Sequence, residues 1–144
     1  MLGNGLHLVI DGETAVPLAL PRVERFLRHF PRYIGMRRFT DPMVYQNDDG
    51  CCGIVGIVES HCSVHSRGVL IWVDIFSCGY MNTEKATRGV VRLLGLTQYR
   101  AKVLQRPLPA PTLGGPVTTS STFGPTMPRM AAYAHAAMPK RVMP

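Results

Sequence analysis

The sequence predicts an α+β domain of two layers, a mostly antiparallel sheet with two helices covering one face. Three observations lead there. A chain of 144 residues suits a single core. Periodic segments follow one another as strand, helix, several strands, helix, strand. The periodicity stops near residue 106, and eight of the twelve prolines lie beyond it among Gly, Ser, Thr, Ala and Met, the composition of a disordered segment. Residues 1–106 are therefore expected to form the domain and residues 107–144 a Pro-rich, disordered tail.

The first strand is Leu6-His7-Leu8-Val9-Ile10, with Asp11-Gly12 read as the turn that ends it. A helix follows. Pro21 suits its first turn, Val23, Phe26, Leu27 and Phe30 recur on one face, and Pro31 is expected to stop it. Residues 36–46 are strand-like but broken by Asp41-Pro42, and Asn47-Asp48-Asp49-Gly50 is a turn. Gly53–Val58 and Val69–Phe76 are apolar runs suited to buried strands, and residues 59–68 lie between or extend them. Within that connecting stretch, alternation sets His61, Ser63 and His65 on one side and Cys62 and Val64 on the other. A second helix runs from Asn82 or Thr83 to Gly95, which supply an N-cap and a C-terminal stop. Gln98–Gln105 alternates as a last strand, with Tyr99, Ala101 and Val103 on one side.

Composition excludes several function classes. No apolar run approaches the roughly 20 residues that cross a bilayer, and Met1–Asp11 lacks the pattern of a signal peptide, so a cytoplasmic location is expected and no membrane. The four cysteines, at 51, 52, 62 and 78, read as thiols, and without a C-x-x-C pair they predict no metal site. The net charge of +7 is uneven: residues 1–84 hold seven Arg and nine acids, and residues 85–144 hold nine Lys or Arg and no acid. The excess is dispersed and lacks interleaved aromatics, so no nucleic-acid partner is expected.

The chemistry concentrates in "IVESHCSVHS", residues 57–66. A Ser-His hydrolase is disfavoured, because Ser60 has no flanking glycine pair of the G-x-S-x-G kind. Spacing alone equally suits a strand whose Ser and His side chains hydrogen-bond within a sheet. Together with "VDIFSCG" at 73–79, however, the stretch resembles the paired signature of the short prokaryotic S-adenosylmethionine decarboxylases, pyruvoyl-dependent enzymes of spermidine synthesis. The similarity runs from "GLHLVIDG" through "YIGM" and residues 83–94 to about Arg106.

This resemblance implies a proenzyme that cuts itself between Glu59 and Ser60 and converts Ser60 to a pyruvoyl group, the Schiff-base electrophile of a metal-free amino-acid decarboxylase. By the same match His65 transfers protons during processing and Cys78 returns a proton to the substrate carbon after decarboxylation. Tyr45 and Cys52 fall where the family binds substrate, Cys52 standing in place of a serine. A homodimer of cleaved protomers, with residues of both near each site, is implied as well. The chain departs from the family after His65: Ser66-Arg67-Gly68 replaces a segment with an aromatic, a Pro and a ribose-binding Glu. Three readings follow: decarboxylation of S-adenosylmethionine, favoured; decarboxylation of arginine or ornithine, with Asp48 or Asp49 reading the cationic end; or an unprocessed pseudoenzyme that binds a partner.

Overall fold

The computed structural model describes residues 5–58 and 60–106. The tail from residue 107, expected to be disordered, lies outside them. The elements are β1 (Gly5–Thr14), α1 (Leu20–Tyr33), β2 (Met43–Gln46), β3 (Cys51–Ile57), β4 (Ser60–Arg67), β5 (Leu70–Ser77), α2 (Thr83–Leu94) and β6 (Leu96–Arg106). The strands form one antiparallel sheet in the order β2-β3-β4-β5-β1-β6, so β1 is inserted between β5 and β6.

Alternation along each strand divides the sheet into two faces. Leu8, Ile10, Val55, Ile57, Cys62, Val64, Ile71, Val73 and Ile75 are buried on the face that carries the helices. Against them α1 sets Val23, Phe26, Leu27 and Phe30, and α2 sets Ala86, Val90 and Leu94. Phe26 and Phe30 stack at 4.6 Å between ring centroids. These spacings, three and four residues apart, are what an amphipathic helix needs to cover a sheet. The expected two-layer α+β architecture is the observed one.

The boundaries of α2 follow its capping chemistry. Asn82 Oδ1 accepts a hydrogen bond from the Lys85 N–H at 2.9 Å, and Gly95 closes the helix at φ 72°, a conformation that favours glycine. Two expected stops fail. Asp11-Gly12 does not turn; β1 continues to Thr14 because β5 and β6 both pair with it there. A side chain at position 12 would collide with the Gln98 carbonyl, so glycine permits the close pairing rather than a reversal. Pro31 also lies inside α1, which runs on to Tyr33. It falls in the last turn, where only the missing N–H bond is forfeited, and its own carbonyl accepts from the Met36 N–H at 2.8 Å. Within the stretch 59–68, expected to lie between or extend the two apolar strands, residues 60–67 form the separate strand β4.

Candidate active site

The face of the sheet turned away from the helices carries the polar motif residues. His61, Ser63 and His65 of β4 lie there, as their spacing predicts, while Cys62, Val64 and Ser66 are buried opposite. Pairing is Ser63 with Asp74, His61 with Phe76 and His65 with Trp72, so the two motif strands lie side by side in register. The two segments that carry the resemblance are thus neighbours in space.

One end of the sheet gathers around Ser60, which shares the helix-side alternation of Cys62 and Val64. Ile57 faces Ser60 across β3 and β4, so the chain reverses between these two residues, just ahead of Ser60. Ser60 in turn faces Ser77 of β5. Cys78 follows Ser77 and is exposed, one residue beyond the Ser60 rung and on the side from which the chain enters β4. The Ser60 hydroxyl is buried and has no hydrogen-bond partner among the described residues. A buried hydroxyl without a partner costs about 1–3 kcal/mol, and such an orphan beside a chain reversal is a group held ready for something other than packing. A prosthetic group made from Ser60 would fit this position, because no side chain among the described residues engages its hydroxyl.

Around the same end, His7 Nε2 lies 3.1 Å from Asp74 Oδ1, and the Phe76 ring is approached by His7 at 6.1 Å, by His61 at 5.8 Å and by the Arg106 guanidinium at 5.3 Å. His7 was not singled out from the sequence. It is 67 residues from Asp74 along the chain, and the polar alternation of His7 with Asp11 and Glu13 in β1 was the only signal that could have shown it.

The other end holds a second group. Tyr45 pairs with Cys52, Cys52 with His65, and His65 with Trp72, whose rings are 5.9 Å apart. Tyr45, Cys52 and His65 line a cavity of about 340 Å³ together with Asn47, Asp49 and Arg67. Asp48 does not line it. His65 and Ser60 do not meet within the chain: five residues of strand at roughly 3.3 Å each separate them by about 17 Å, and they belong to opposite faces.

The four cysteines are free, Cys51 and Cys62 buried and Cys78 exposed. Burial, with the Asp74 charge adding to it, pushes the Cys62 thiol far above its ordinary value, so it stays protonated and inert. Cys51 Sγ instead lies 3.3 Å from Ser66 Oγ and 3.4 Å from the Leu18 carbonyl, a structural contact. Among the described residues no three His, Cys, Asp or Glu side chains cluster as a metal site, and no helix is long and apolar enough to cross a membrane.

Comparison with known proteins bears on the family and the fold. No curated protein matches the sequence. The crystal structure of the adenosylmethionine decarboxylase from Aquifex aeolicus is similar in fold, with a TM-score of 0.61, 19% sequence identity, and coverage of 80% of this chain and 100% of that one. Residues 7–107 match the S-adenosylmethionine decarboxylase family, a span that takes in both motif strands and all described elements save the first two residues of β1, and the chain belongs to that family.

Proposed function

We propose that the chain is a self-processing decarboxylase acting on S-adenosylmethionine and supplying the decarboxylated product for spermidine synthesis. The buried hydroxyl of Ser60, without a hydrogen-bond partner among the described residues, carries this reading. In processing, Ser60 Oγ adds to the carbonyl carbon of the preceding peptide, and the Glu59-Ser60 amide becomes an ester. β-Elimination then breaks the ester, and hydrolysis releases ammonia from the new amino terminus. The resulting pyruvoyl group would supply an electrophilic carbonyl and accept the electron pair freed with carbon dioxide. Cys78 sits one residue beyond the Ser60 rung, free and exposed, in position to deliver a proton to the substrate carbon. Its neighbour Ser77 holds the turn through hydrogen bonds with Gly79 at 3.1 and 3.2 Å.

His65 assists processing from a second copy of the chain. Within one protomer about 17 Å of strand and opposite sheet faces separate it from Ser60, so in this reading His65 comes from a partner protomer docked on the open face and extending over the sheet end where Ser60 and Cys78 lie. That face is also apolar where it is uncovered: Met43, Tyr45, Ile54 and Trp72 are all exposed. We therefore assign a homodimer with sites shared between subunits. Tyr45 and Cys52 contribute to the substrate cavity, and the four free thiols suit the cytoplasm. Asp49 in that cavity favours one second reading, a substrate with a cationic side chain such as arginine or ornithine.

Mass spectrometry of the purified protein tests processing, and release of labelled carbon dioxide from carboxyl-labelled S-adenosylmethionine, arginine and ornithine tests the substrate. Two fragments meeting at Ser60, the second with a keto cap, and turnover of S-adenosylmethionine are expected. A single intact chain without activity would leave a non-catalytic binding partner.

A further inference from the structure

The outer, helical layer carries a feature that the decarboxylase chemistry does not use. Arg22, Arg25, His29 and Arg32 recur on the exposed face of α1 at intervals of three and four residues, a stripe of about 15 Å. Two cavities flank it and meet at His29. One, of about 620 Å³, lies between Arg22, Arg25 and Arg92 over Phe26 and Leu93. The other, of about 510 Å³, lies among Arg28, Arg32, Arg37 and Arg38. No carboxylate lines either one.

The available acids are already engaged at the margin. Glu24 and Asp41 hold Arg28 at 2.8 and 3.2 Å, and Asp41 also holds Arg38 at 3.1 Å. Arg25, Arg32 and Arg37 have no acidic partner among the described residues. Like charges three and four residues apart on a helix destabilise it, so this arrangement lacks its counter-charge in the isolated chain. The acids reach only Arg28 and Arg38 at its margin, and the two cavities themselves are lined by none.

We propose that the α1 groove is a binding site for an oligophosphate chain, either inorganic or the tail of a nucleotide. Guanidinium forks match phosphate oxygens two at a time, and two cavities that share His29 on an arginine stripe suit linked phosphates better than a single ion. The aromatic rings beneath the stripe, Phe26 and Phe30, are buried. The groove therefore offers no platform on which nucleic-acid bases would stack.

The test is calorimetric titration of the full-length protein with tripolyphosphate and with ATP at low and moderate salt. Saturable binding is expected, weakened about tenfold or more in an Arg25→Gln/Arg32→Gln variant, the loss of two charge-assisted contacts. An Arg88→Gln variant, which removes the partner of Glu84 on α2, and a Lys140→Gln/Arg141→Gln variant in the tail are expected to bind as the parent does. Equal affinity for both ligands assigns recognition to the phosphates alone, and tighter ATP binding adds the nucleoside. The proposal is overturned by absence of saturable binding, by equal loss in the control variants, or by an oligonucleotide of matched charge that binds far more tightly than either.

Discussion

Ser60 and Ser77 face each other across β4 and β5, yet only Ser77 is satisfied: its hydroxyl bonds with Gly79 while that of Ser60 has no partner among the described residues. Two serines in one rung are thereby set to different tasks. Ser60→Ala is expected to stay one chain of about 15.9 kDa and, having lost only an unsatisfied group, to melt above Ser77→Ala, which loses two hydrogen bonds worth about 1 kcal/mol each. Gel mobility and thermal melts of the two variants check both points. A cleaved Ser60→Ala chain would refute the assignment of the cut.

Because His65 and Ser60 lie at opposite ends of β4, processing of one chain by the other predicts complementation. His65→Ala alone is expected to accumulate uncut. Coexpressed with Ser60→Ala, whose His65 is intact, the His65→Ala chain is expected to be cut, and differently tagged copies identify which chain is cleaved. Failure of the mixed dimer to process would place the two residues in independent roles.

Thiol exposure separates the cysteines. Brief alkylation of the native protein followed by peptide mapping is expected to modify Cys78 and spare Cys62, whose burial keeps it protonated, and Cys51, which is packed against Ser66. Cys78→Ala is expected to retain chain cleavage while lowering carbon dioxide release by about a hundredfold or more, the usual weight of a positioned proton donor. Undiminished turnover would move the proton to another group.

A pH dependence follows from Asp41. The hydrogen bond from Arg38, together with the charge of Arg28, holds its carboxyl below the ordinary carboxylate value. A depressed folded-state value means that the ionised form favours the fold above the unfolded-state value, and that this contribution disappears as pH falls through the folded one. Asp41→Asn is therefore expected to melt slightly below the parent at neutral pH, with the gap closing in acid and narrowing with salt because the group is solvent-exposed. Melting curves from neutral to acid pH check it, and a gap that widens in acid would contradict the sign.

Local chemistry made much of the fold legible. The alternation of Cys62 and Val64 against His61, Ser63 and His65 set the two faces of β4 correctly, and Asn82 and Gly95 marked the ends of α2. Long-range pairing was not legible. Nothing near Asp11-Gly12 says that β1 will be held on both edges, by Trp72 and Ile71 on one side and Arg100 and Tyr99 on the other, so a usual turn signal was overridden. Likewise the Ser60–Cys78 end could be anticipated because its residues lie in two quotable motifs, whereas the contact of His7 with Asp74 depends on strand order alone.

The place of β1 governs what a nick would leave behind. A break ahead of Ser60 would assign β1, α1, β2 and β3 to the leading fragment and β4, β5, α2 and β6 to the trailing one. Since β1 is clasped between two strands of the trailing fragment, and β3 is zipped to β4, each fragment would supply edges that the other completes. The halves would be interlaced rather than merely adjacent, and loss of a covalent link need release neither.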